Sequence, residues 1–156
     1  MKSDSWKLLV EAGGAVAVLL GLVFVGLELR QNTEAVEAAT FQALTDASSD
    51  YILTIASDPE LNRVVTTGYD DPSSLSELEY SRFFMVTRSY WVRMQNVYSQ
   101  WQRGTLSDDD WVMYENIICG SDANPSSARG IIQTFDEHRQ LLTPEFVQFV
   151  ERCWAK

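Results

Sequence analysis

Positive charge is scarce in this sequence beside negative. Twelve Lys and Arg face 22 Asp and Glu, for a formal net charge of -10. Such a deficit excludes nucleic acid as a general partner, because neutralising phosphates takes clustered cations. It equally excludes attachment to anionic lipid headgroups through a basic patch. Histidine occurs once, at His138, so no His-based metal site or proton relay has a second member. Cysteine occurs twice, at Cys119 and Cys153, in no CxxC and in no Cys/His cluster with ligand spacing. Two cysteines make no disulfide framework. The plain expectation is a pair of small apolar core residues. A bond between them stays open if the domain faces an oxidising compartment. There is no GxxxxGK phosphate loop, no GxGxxG behind a strand, no HExxH and no GxSxG elbow. Alternating β-branched runs are missing as well, which removes a sheet from the expectation.

What is present begins with an apolar segment. Between Ala12 and Leu27 no residue is charged. A helix from Trp6 to Leu29 extends about 36 Å, enough to cross a bilayer with some tilt. Trp6 and Lys7 suit one membrane interface, and Arg30, Gln31 and Asn32 suit the other. Two readings compete with a transmembrane anchor. One is a cleaved signal peptide, with small residues near Val36, Ala38 and Ala39 at the cut, although Glu11 interrupts its apolar stretch. The other is a buried helix of a soluble protein, because the uncharged run is short for a span.

Lys7, Glu11, Gly14, Val18, Gly21, Val25, Glu28 and Asn32 follow one another at spacings of 4 and 3, a heptad pattern that puts them on one face of a helix. Leu19, Leu20, Val23, Phe24 and Leu27 fall off that face and read as lipid-facing. Carboxylates at membrane depth are costly and turn toward protein or water, while glycines let helix backbones approach closely. Glu11, Gly14, Val18, Gly21, Val25 and Glu28 are therefore expected to form a helix-packing seam toward a second copy or another membrane protein. The plainer alternative leaves Glu11 at the headgroups, paired with Lys7 one turn away, and Glu28 likewise at an interface. Lys2 and Lys7 before the span, against Arg30 after it, lean toward a cytoplasmic N-terminus.

The fold class expected is all-α, with residues 1–32 an N-terminal transmembrane anchor and 33–156 a helical bundle domain. The first helix continues through Thr33 to about Ser57. Asp58 and Pro59 start a short helix that ends near Gly68. After a loop around Asp70–Ser74, Ser76 and Glu79 form a capping box for the longest helix of the domain, which stops at Gly104. Tyr80, Phe83, Phe84, Tyr90, Trp91, Met94, Val97, Tyr98 and Trp101 give that helix a wide apolar face, read as core rather than as a cofactor site. Ser107 with Asp108, Asp109 and Asp110 opens the next helix, which ends near Gly120. A helix over about Ser126–Leu141 and a last one from Thr143-Pro144-Glu145 complete the bundle.

No catalytic residue, cofactor or metal emerges. His138, within Asp136-Glu137-His138-Arg139, reads as solvated surface. Asp108–Asp110 lacks the alternating ligands and glycine of a calcium loop and reads as helix capping. Arg82, Arg88, Arg93 and Arg103 on the long helix read as surface ion-pair partners rather than an anion site.

Three blocks carry a resemblance. They are Leu29-Arg30-Gln31-Asn32-Thr33 after the span, Gln95-Asn96-Val97-Tyr98-Ser99-Gln100-Trp101-Gln102-Arg103-Gly104-Thr105-Leu106-Ser107-Asp108-Asp109-Asp110-Trp111, and Thr143-Pro144-Glu145-Phe146. In that order the chain resembles a group of short, uncharacterised bacterial single-pass membrane proteins with a C-terminal helical domain. The resemblance implies a bacterial inner-membrane protein and carries over no site residues. Basic residues often follow the span in that group; here Glu34 and Glu37 stand there instead, which leaves orientation open.

Function is expected to be that of a membrane-anchored interaction or scaffold protein, not an enzyme. Its partners would be the lipid bilayer and, through the seam, itself or another membrane protein. One alternative is a homo-oligomeric cation channel with Glu11 and Glu28 as carboxylate rings. Another is an accessory subunit of a photosynthetic or respiratory membrane complex.

Overall fold

The computed structural model describes residues 2–120 and 129–155, and for residues 2–12 and 15 the backbone alone. Among the described residues there are six α-helices, two short 3-10 turns and no strand. The helices are α1 (Lys2–Ser57), α2 (Pro59–Asp70), α3 (Glu77–Gln102), α4 (Asp108–Gly120), α5 (Arg129–His138) and α6 (Pro144–Trp154). One long apolar N-terminal helix thus leads into a helical bundle. The chain divides into two units, residues up to Ala39 and residues from Thr40 on.

Local chemistry sets most of the breaks. Asp58 is the N-cap of α2, its carboxylate accepting from the N–H groups of Glu60 and Leu61 at 2.9 and 3.0 Å, with Pro59 fitting the first helical position. Ser76 and Glu79 form the capping box of α3. The Ser76 hydroxyl and N–H, joined by the Arg63 guanidinium, hold the Glu79 carboxyl down at about 2. Gly104 ends α3 with φ of 70°, a left-handed conformation that glycine adopts without penalty. The N–H groups of Gly104 and Thr105 donate to the carbonyls of Trp101 and Gln100, which closes a Schellman motif. Ser107 then caps α4 by accepting from the Asp110 N–H at 3.1 Å. The acidic triplet Asp108–Asp110 lies in that first turn.

Helix α2 passes through Gly68 to Asp70, two residues beyond the expected stop. Gly68 stays helical because the site needs a missing side chain rather than a turn. A Cβ there would lie 2.5 Å from the Phe83 ring. The expected helix over Ser126–Leu141 is observed as α5 followed by a 3-10 turn, Arg139–Leu141; its first residues, 126–128, lie outside the described region.

The core lines one face of α3, where Phe83, Tyr90, Trp91, Met94, Val97 and Tyr98 are buried. Trp91 is fully enclosed, with ring centroids of Phe135 at 4.8 Å, Trp154 at 5.9 Å and Phe146 at 6.4 Å. At the other end Trp101 and Trp111 stack at 4.6 Å, nearly parallel. The Trp101 indole also donates to Asp108 at 2.8 Å, which fixes the turn between α3 and α4. From Thr40 onward α1 contributes Leu44 to this core, with Phe41 and Tyr51 packed against it.

Cys119 and Cys153 are not separate apolar fillers. They form a disulfide that joins the end of α4 to the end of α6, with Cα atoms 5.1 Å apart. The sequence carries no spacing pattern that signals this pairing, because the bond follows from how α4 and α6 pack.

Helices α2 and α5 meet through two glycines. A Cβ built on Gly130 would lie 2.0 Å from the Gly68 carbonyl oxygen, a backbone atom that cannot swing aside. Gly130→Ala is therefore expected to lower stability by about 1–3 kcal/mol, despite alanine's better helix propensity. Denaturant unfolding of the detergent-solubilised chain, followed by circular dichroism, measures the loss; an unchanged midpoint would contradict this close approach.

Candidate functional site

Among the described residues, 16–29 of α1 carry a continuous run of uncovered apolar surface. Val16, Val18, Leu19, Leu20, Leu22, Val23, Phe24, Val25, Leu27 and Leu29 are each at least 50% exposed. The helix is long and apolar enough to cross a membrane, and none of its apolar window is buried by the chain itself. Seam and flank are equally bare. Gly14, Val18, Gly21, Val25 and Glu28 are exposed, and a Cβ added at Gly14 or Gly21 would meet nothing within 4 Å. The Glu11 side chain, and that of Lys7, lie outside the described residues. The structure thus brings the described seam residues onto an open helix and supplies no partner for them. At the end of the apolar stretch Arg30 donates to Glu34 at 2.8 Å, one turn on.

Within the bundle a second cluster joins three helices. The Arg93 guanidinium lies over the Tyr51 ring at 4.3 Å and 5.9 Å from that of Tyr90. Its Nε and Nη1 are enclosed and make no hydrogen bond among the described residues. Among the described residues no carboxylate lies within ion-pair distance of it, and in place of the expected surface ion pair the cation rests on aromatic faces. The Tyr51 and Tyr69 hydroxyls stand 3.4 Å apart beside it. Burial pushes both phenols, and that of Tyr90, above the ordinary range, while the nearby cation works in the opposite direction. The arrangement clamps α1, α2 and α3 together. Arg82, Arg88 and Arg103 likewise make no ion pair among the described residues; Arg63 and Arg139 do, with Glu60 and Glu79 and with Asp136 and Glu151.

His138 is not on the surface. It is 1% exposed, its ring 4.2 Å from that of Phe84. Nε2 lies 3.2 Å from the Phe84 carbonyl oxygen and 3.4 Å from the Thr87 hydroxyl. The carbonyl can only accept, so Nε2 carries the proton, and the unprotonated Nδ1 makes no hydrogen bond among the described residues. The signal for this burial was present in the spacing. Ile131, Thr134, Phe135 and His138 are i, i+3, i+4 and i+7, one helix face, and all four are buried. Nearby Tyr80 donates to Glu137 at 2.7 Å, and Gln133 bridges the two.

A shallow groove of about 370 Å³ runs between α1 and α3, lined by Ala47, Tyr51, Thr54, Ile55, Met85 and Val86 among others, with Asp50 as its only carboxylate. Among the described residues no three His, Cys, Asp or Glu side chains converge to hold a metal ion. No family model, curated protein or solved structure matches the chain.

Burial lowers the His138 pKa below its ordinary value of 6.5, outweighing the Phe84 carbonyl and Glu137, which raise it. The unfolded chain therefore takes up this proton first. The stabilisation is complete above pH 6.5 and is lost as pH falls from there through the depressed folded value. His138→Gln is expected to cost about 1 kcal/mol at pH 8 and to flatten the pH dependence of the melting temperature in that window. An unaltered slope would show that His138 does not control it.

Proposed function

We propose that this protein is a single-pass, membrane-anchored helical interaction protein. In this reading α1 is its transmembrane span, and it self-associates or docks onto a larger membrane complex. The observation that carries the reading is the uncovered run from Val16 to Leu29. An aqueous surface does not tolerate a contiguous aliphatic cylinder of that size, so lipid or another protein covers it. Lipid satisfies Leu19, Leu20, Val23, Phe24 and Leu27. It does not satisfy a face that combines Glu11 and Glu28 with Gly14 and Gly21, and the open space above both glycines suits close approach of a second helix. The bundle, tied together by aromatic packing and a disulfide, is suited to presenting a surface. A bacterial inner membrane is the setting that the resemblance to short single-span bacterial proteins supports.

Replacing both Gly14 and Gly21 by Leu fills the space above the seam and leaves the span apolar. The variant is expected to stay in the membrane fraction and to lose most of its association. Native mass spectrometry of the gently extracted protein reads this as a shift from a defined multiple of 17.7 kDa, or from a larger particle, toward the single chain. Association unchanged in the double variant counts against the seam. A wild-type chain recovered in the soluble fraction counts against the anchor.

A further inference from the structure

The sequence beside α1 and the bond between α4 and α6 bear on the same question, which side of the membrane the bundle occupies. We infer that the bundle lies on the oxidising side of the membrane, with the N-terminus in the cytoplasm, and that Cys119–Cys153 is a structural disulfide formed there. The orientation rests on the reading of α1 as a span.

The first observation is the bond itself. The ends of α4 and α6 are held together by contacts that do not depend on sulfur. The Trp154 indole, next to Cys153, donates to the carbonyl of Ile118, next to Cys119, at 3.2 Å. Ile118 is fully buried beside them. The resulting Cα separation of 5.1 Å falls where disulfides form without backbone movement. Such a pair stays bonded in oxidising compartments and is kept reduced in a bacterial cytoplasm. Formation needs an acceptor. A disulfide-bearing oxidoreductase takes two electrons and two protons from the Cys119 and Cys153 thiols, and its own disulfide opens to two thiols as theirs closes.

The second observation is independent of the first. From Gln31 to Asn62 the chain has no Lys or Arg, while Glu34, Glu37, Asp46, Asp50, Asp58 and Glu60 fall in that stretch. Arg30, the one cation at this end of the apolar run, is paired with Glu34. Before the run stand Lys2 and Lys7. Retention of a flank in the cytoplasm depends on Lys and Arg within about 15–20 residues of the span, and the distal flank has almost none.

The test uses the full chain with a C-terminal epitope in a bacterial host. Thiols are trapped in acid and alkylated with a polyethylene-glycol maleimide, with and without prior reduction. Spheroplasts are treated with external protease in parallel. The expected result is no mass shift before reduction, two additions after it, and an epitope removed by the protease. A host without its periplasmic thiol oxidase should yield free thiols. Reduction of the purified protein should lower its melting temperature by on the order of 10 °C. Two free thiols on a chain whose epitope is cleaved overturn the structural bond. A protected epitope in intact membranes overturns the orientation. A chain found in the soluble fraction rejects the anchor, and the alkylation pattern then decides the bond alone.

Discussion

The bundle depends on the aromatic face of α3. Trp91 has no exposed surface and stands against Phe135 of α5 and both Phe146 and Trp154 of α6. Phe83, one end of the same face, packs edge-on to Tyr69 of α2 at 5.7 Å. Tyr98 and Trp101, the other end, pack against Trp111 of α4. Each ring contributes both area removed from water and an edge-to-face or stacked geometry that fixes orientation. Short helices such as α5 and α6 do not persist alone in water. They are stable because their apolar stripes close over α3.

That dependence explains where polar groups are tolerated inside. Thr87 and Thr134 return their hydroxyls to carbonyls of their own helices, and His138 borrows the Phe84 carbonyl. Arg93 is handled differently, spread over the Tyr51 ring rather than neutralised by a carboxylate.

The two units answer to different surroundings. From Thr40 on, a core of apolar residues is packed among the chain's own rings, while Ile52, Leu53, Leu78 and Met85 stay exposed. Before that, α1 offers aliphatic side chains that nothing among the described residues covers.

Helix identity and helix ends were legible in the sequence because they depend on neighbours a few residues apart. Asp58-Pro59, Ser76 with Glu79, Gly104 and Thr143-Pro144 act within one turn, and each break falls where these residues stand. The length and apolar character of α1 were legible in its residues. What the tertiary structure decided were pairings between distant segments. Gly68 against Gly130, Arg93 over Tyr51 and Cys119 bonded to Cys153 carry no local mark, since each exists only once two helices have docked. His138 lies between the two cases. Its register on α5 pointed inward, its charged neighbours pointed outward, and contact with Phe84 and Thr87 of α3 settled which applied.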